Sequence, residues 1–216
     1  GSSPNPPIGI TGATETWNGS SWAETADLNQ GVRSLGGAGN TTASLAFGGR
    51  LPSYVASTEE FNTGVVGGAW STGGSLNTAK EESAGAGTKT SALSFGGNPP
   101  RLALTEQYNG TSWTEVNDLN TARSLLAGAG ASNTAALAFG GNTPSTTVDT
   151  ELWNGTNWTE VNNLPVAKER LAGCGTSTAA LSFGGESAPG RSAKTEEWNG
   201  TNWTEVNDLN TARDFL

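Results

Sequence analysis

"WTEVNDLNTAR" stands at residues 113–123 and again, letter for letter, at 203–213. Eleven identical residues do not recur by chance in a chain of 216, so the chain was built by copying a unit, and copied units stack on their siblings. A longer frame surrounds both copies. "FGG" places double glycines at Gly48/Gly49, Gly96/Gly97, Gly140/Gly141 and Gly184/Gly185, a repeat of 44 to 48 residues. A Glu-x-aromatic series has five members: Glu15 before Trp17, Glu59 before Phe61, Glu106 before Tyr108, Glu151 before Trp153 and Glu196 before Trp198.

Within one unit the text falls into four strand-length runs, here A to D: "ARSLLAGAG" (122–130), "TAALAFGG" (134–141), "TVDTELW" (147–153) and "NWTEVNNL" (157–164). Asn-Gly lies between C and D at 18–19, 109–110, 154–155 and 199–200, which predicts a type I′ hairpin. The copy at 62–69, "NTGVVGGA", predicts a longer, bulged turn. Charged residues are only 14% of the chain and there are 31 Gly, so small side chains do much of the filling, as in tightly stacked sheets with many turns.

Four antiparallel strands at this period predict an all-β fold, a five-bladed β-propeller of four-stranded antiparallel blades. Blade 1 is expected over 31–76, blade 2 over 79–119, blade 3 over 122–164 and blade 4 over 167–209. There are five C–D pairs but four A–B pairs, so the closing blade is expected to be shared between the two termini. It takes 6–28, with a short B strand through Ile8 and Ile10, plus 211–216 as the opening of A. The competing reading is a cut fragment of a longer array, with the last sheet incomplete or completed by another molecule. Gly1 to Ser3 read as a cleavage scar, which leaves 4–216 as a single domain.

A basic residue opening A, Gly-Gly closing B, Glu-x-aromatic in C and Trp in D together resemble the Kelch repeat over nearly the whole chain. The spelling "WNGTSWTEVNDLNTAR", "LAGAG", "LAFGG" is similar to Kelch-like repeats of viral and environmental bacterial sequences, which implies a virion- or cell-surface setting for a soluble chain. The chain departs from familiar Kelch proteins in having no histidine after the opening basic residue. Some members of that family are copper oxidases that use two tyrosines and two histidines. With no histidine here and only Tyr54 and Tyr108, that site cannot be assembled.

The absence of histidine removes the commonest metal ligand and general base, and near-identical blades offer one group several times where catalysis needs different groups in different roles. No catalytic residue, metal or cofactor is expected. A net charge of −9 without a Lys/Arg cluster argues against nucleic acid, and no apolar run is long enough to insert into a membrane. A monomer is expected.

The basic series Arg33, Lys80, Arg123, Lys168 and Arg213 is expected to form a structural ring with the carboxylates Glu15, Glu59, Glu106, Glu151 and Glu196, because a half-buried cation needs a partner. Trp22, Trp70, Trp113, Trp158 and Trp203, at the start of D, read as wedges between sheets. Cys174, in the place of Ala38, Ala86 and Ala129, reads as a small buried filler. The B–C loops differ while the D–A links are nearly constant, so binding is assigned to the B–C face through Arg50, Tyr54, Arg101, Asp149 and Arg191. The expected function is protein interaction or surface recognition. The alternatives are a lectin with repeated inter-blade glycan pockets, and a recently amplified or engineered scaffold without a ligand.

Overall fold

The computed structural model describes residues 10–64 and 68–215. The chain opens on a hairpin, β1 Glu15–Trp17 and β2 Trp22–Glu24. Sheet 1 follows, with β3 Gly36–Asn40 and β4 Ala43–Phe47, a small excursion β5 Arg50–Leu51 and β6 Ser53–Tyr54, then β7 Thr58–Asn62 and β8 Ala69–Thr72. Sheet 2 holds β9 Ala84–Thr88, β10 Ser91–Phe95, β11 Thr105–Tyr108 and β12 Trp113–Val116. Sheet 3 holds β13 Ala127–Ser132, β14 Ala135–Phe139, β15 Thr150–Trp153 and β16 Trp158–Glu160. Sheet 4 holds β17 Ala172–Gly175 and β18 Ala180–Phe183, the excursion β19 Glu186–Ser187 and β20 Gly190–Arg191, then β21 Thr195–Trp198 and β22 Trp203–Glu205. Each of the four sheets is antiparallel and runs A-B-C-D in space as in sequence. The fold is all-β, and the described residues contain no helix.

The sheets stack through one repeated set of contacts. Phe47, Phe95 and Phe139, at the end of B, meet Trp113, Trp158 and Trp203 of the next sheet edge-on at 4.9–5.0 Å between centroids. The same indoles donate from Nε1 to Oγ1 of Thr58, Thr105 and Thr150 of the preceding sheet at 3.0–3.1 Å. Each tryptophan therefore buries its rings and satisfies its one polar atom, which burial otherwise penalises.

The inner strands approach closely enough to exclude a side chain. A Cβ on Gly85 would lie 2.3 Å from the Gly37 carbonyl oxygen, one on Gly128 2.8 Å from that of Gly85, and one on Gly173 2.9 Å from that of Gly128. The four inner runs, "GGAG", "AGAG", "AGAG" and "AGCG", are spelled with small residues for this reason, and together Gly37–Gly39, Gly85–Gly87, Gly128–Gly130 and Gly173–Gly175 line one central cavity of about 210 Å³.

Three expectations are corrected. The C–D loops contain four residues, since Trp17 pairs with Trp22, Tyr108 with Trp113, Trp153 with Trp158 and Trp198 with Trp203. Only the glycine has positive φ, which excludes type I′; each Asn amide donates to the carbonyl three residues on, and its Oδ1 accepts the amides two and three residues on, so main chain and side chain close the turn together. The longer turn at 62–69 falls partly outside the described residues. Cys174 is exposed, because no described strand covers that face of β17.

The third correction concerns the closing sheet. Ile8 lies outside the described residues, and Ile10 is not in a strand. The Thr11 carbonyl accepts the Val32 amide, as that of Val55 accepts Lys80 and that of Leu102 accepts Arg123, so Thr11 stands at the end of a B–C loop and not in a B strand. Arg213–Phe215 likewise form no strand. Among the described residues the fifth unit consists of its C–D hairpin alone.

Gly128→Ala is expected to lower stability by about 1–3 kcal/mol, the usual cost of overpacking. Gly190→Ala, with nothing within 4 Å of the added carbon, is expected to leave it unchanged; urea midpoints of the two variants check this.

Candidate functional site

The D–A links and B–C loops meet around one mouth of the central cavity. Just before strand A the chain enters the left-handed region at a non-glycine residue in every unit: Ser34 (φ 54°), Glu82 (58°), Leu125 (58°), Arg170 (55°) and Phe215 (51°). These five residues are joined into a chain of hydrogen bonds. The Glu82 amide donates to the Ser34 carbonyl (2.9 Å), Leu125 to Glu82 (3.0 Å), Arg170 to Leu125 (2.9 Å) and Phe215 to Arg170 (3.0 Å). They bound a pocket of about 310 Å³ with Leu35, Ser83, Leu126 and Leu171.

The backbone of this mouth is the same five times, and its side chains are hydroxyl, carboxylate, aliphatic, guanidinium and aromatic. Arg170 lies 4.8 Å from the Phe215 ring centroid and pairs with Glu186 and, at 3.6 Å, with Glu169. Burial pushes the Glu82 carboxyl above the ordinary carboxylate range and neighbouring Glu81 adds to it, while a hydrogen bond to Ser124 and the Arg170 charge pull it back. Sequence reading missed this set. The one sequence signal is a leucine that follows the position in four of the five copies, at Leu35, Leu126, Leu171 and Leu216, with Ser83 in the fifth.

The B–C residues surround the mouth and are held by the next sheet. Arg50 pairs with Glu81 at 3.3 Å and lies 5.2 Å from the Tyr54 ring centroid. Arg101 donates to Asn142 Oδ1 at 2.9 Å, and Asn142 in turn donates to Glu169. Arg191 pairs with Asp214 at 2.8 Å. Asp149 is half-buried at the foot of its loop, where its carbonyl accepts from Arg123 Nη1 at 3.1 Å. Three of the arginines thus act as clasps between units, their outer surfaces still open to a ligand.

Beneath the mouth, Lys80 lies 3.6 Å from Glu106, Arg123 lies 3.1 Å from Glu151, and Lys168 is bonded to Glu196, all essentially inaccessible to water. Burial lowers the pKa of Lys80, Arg123 and Lys168, and the paired carboxylate opposes it in each case. Arg33 does not belong to this series. Val32 holds the equivalent place, donating its amide to Thr11 as Lys80 does to Val55, and Arg33 is exposed one residue on. The insertion-free spelling "GVRS" against "AKEE" hid the one-residue offset. Glu59 has no cation and keeps the contacts common to the series: it accepts both nitrogens of Asn29 at 2.7 Å and the Gln30 amide at 3.1 Å, as Glu106 accepts those of Asn77 and Glu151 those of Asn120. Glu15 and Arg213 are both exposed.

Among the described residues no group of His, Cys, Asp and Glu is arranged to hold a metal ion, and no helix is long and apolar enough to cross a membrane. Comparison with family models and with curated proteins gives no match.

Glu151→Ala should cost about 3–5 kcal/mol, because it strands the buried Arg123 charge, whereas Arg33→Ala on the surface should cost less than about 0.5 kcal/mol, as read from urea denaturation. Ser34→Gly should raise stability by about 1 kcal/mol by relieving the left-handed backbone, measured in the same way.

Proposed function

We propose that this chain is a non-catalytic recognition module of Kelch type, a five-bladed propeller that presents its axial mouth and surrounding B–C loops to a protein ligand. The observation that carries this reading is that five equivalent left-handed positions bear five different side chains. Glycine would relieve the backbone at each of them; ion pairs account for Arg170, but not for a different side chain in every copy, and strain of this kind is kept where a side chain has other work. The mixture of apolar surface with one acid and one base suits a peptide or protein surface.

The Kelch-type build is supported by the repeated Phe–Trp and Trp–Thr contacts between four-stranded sheets and by the buried basic–acidic pairs. A glycan-binding role is less well supported. Trp113, Trp158 and Trp203 are buried with their indole nitrogens engaged, which leaves no repeated aromatic platform for a sugar.

Peptides selected by display against the chain should bind at one site per chain. Their affinity should fall at least about tenfold for Leu125→Ala combined with Arg170→Ala, a loss of roughly 1.4 kcal/mol, and be unchanged for Thr176→Ala on the opposite face. Ligands indifferent to the mouth substitutions, or a glycan titrating several equal sites, would refute the proposal.

A further inference from the structure

The unit that holds sheet 2 departs from its neighbours at two consecutive positions of the axial mouth. At the left-handed position it carries Glu82, where the adjoining units carry Ser34 and Leu125. At the next position it carries Ser83, where the units of sheets 1, 3 and 4 have Leu35, Leu126 and Leu171. Both residues line the mouth pocket, together with four leucines. Ser83 is 8% exposed, and its hydroxyl is buried without a hydrogen-bond partner. Burying an unpartnered hydroxyl is unfavourable, and leucine would fill the same place with carbon, so the packing of the mouth gives no reason for a serine there.

Glu82 is unmatched as well. Around the mouth, Arg50 pairs with Glu81, Arg170 with Glu169 and Glu186, and Arg191 with Asp214. Among the described residues no Lys or Arg nitrogen lies within 4.0 Å of the Glu82 carboxylate. The groups that face it are Glu81 on its own link, Ser124 on the link into sheet 3, which donates a hydrogen bond to it, and Glu169 and Arg170 on the link into sheet 4. Arg170 is the one cation of this set, and two other carboxylates already hold it. Arg33 and Arg101 are exposed on the same face but do not line the pocket. An acid and a hydroxyl thus stand side by side at one corner of a largely aliphatic pocket, each lacking the partner that its burial calls for.

We infer that Glu82 and Ser83 are the specificity corner of the mouth and take a basic side chain, lysine or arginine, from the protein ligand. The incoming ammonium or guanidinium supplies the counter-charge that Glu82 lacks and donates to Ser83 Oγ. Its alkyl stem lies along Leu35, Leu125 and Leu126. The net charge of −9 favours approach of the same kind of partner. The inference rests on the mouth being a protein-recognition surface, as in the proposed function, and adds the charge of what enters it.

The test selects two random peptide display libraries against the full chain, one containing Lys and Arg and one with Gln in their place. A mouth binder is a peptide whose affinity falls at least about tenfold, roughly 1.4 kcal/mol, for Leu125→Ala combined with Arg170→Ala. Mouth binders are expected from the basic library alone. In each, changing one Lys or Arg to Gln should weaken binding to the unaltered chain at least about tenfold and leave binding to Glu82→Gln unchanged. Glu82→Gln should keep or raise the thermal midpoint, and Ser83→Ala should weaken the same peptides by a smaller factor. Affinity for a lysine peptide should fall as the pH is lowered through the raised pKa of Glu82, because protonation removes the charge that lysine meets, and Glu82→Gln should show no such fall. Mouth binders recovered equally from the library without Lys and Arg, or equal affinity of basic peptides for the unaltered and Glu82→Gln chains, overturn the inference and leave the mouth a recognition surface. Mouth binders from neither library refute the recognition surface and this inference together.

Discussion

The structure depends on how closely its inner strands approach one another. Successive "AGAG" strands run so near that a methyl group at Gly85, Gly128 or Gly173 would strike a carbonyl oxygen of the neighbouring strand. With no side chain between them, the inner edges converge while the outer edges fan apart. The widening gap is filled by progressively larger groups: the Leu and Phe of strand B, then the aromatic residues of C and D. Small inside and large outside is the condition for wedge-shaped stacking, and the recurring Phe–Trp edge contact sets the spacing of the sheets.

Burial of charge follows from the same geometry. Lys80, Arg123 and Lys168 enter the wedge at its tightest level, where water is excluded, and each is matched by a carboxylate from strand C of its own sheet. Such pairs return little net stability, since desolvation offsets the attraction, but an unmatched charge at these positions is strongly unfavourable. They therefore act against wrong registers: a strand C shifted by one residue would turn its glutamate to the other face. In sheet 1, where Val32 replaces the cation, Glu59 is satisfied by backbone and side-chain amides of the preceding link.

A constant frame leaves few places for individuality, and those places coincide. The mouth residues lie at the one level where each unit must turn sharply before entering the inner strand, and the B–C loops close over the next unit through Arg50, Arg101 and Arg191. Loop and neighbouring link are thus coupled, so the face behaves as one surface and not as five separate loops. Among the described residues the fifth unit is its outer hairpin, and its Trp22 is exposed where Trp113, Trp158 and Trp203 are buried.

The strands, their order within a sheet and the period were legible in the sequence, because each rests on local chemistry repeated four or five times; the wedge role of tryptophan holds for Trp113, Trp158 and Trp203, while Trp22 is exposed. Asn-Gly marked the C–D turns correctly but not their backbone type, since whether two or four residues lie between the paired strand ends depends on strand register. Arg33 was assigned to the buried series because a basic residue near the right place is a weak signal; only the hydrogen bond from Val32 to Thr11 reveals the offset. The mouth residues had no common spelling to find, and their equivalence exists solely in backbone angle and in the chain of hydrogen bonds that joins them. Cys174 and Gly37 show the same division. The sequence determined that both are small, and the tertiary structure decided that each borders an uncovered face, because exposure is a property of what packs alongside and not of the residue itself.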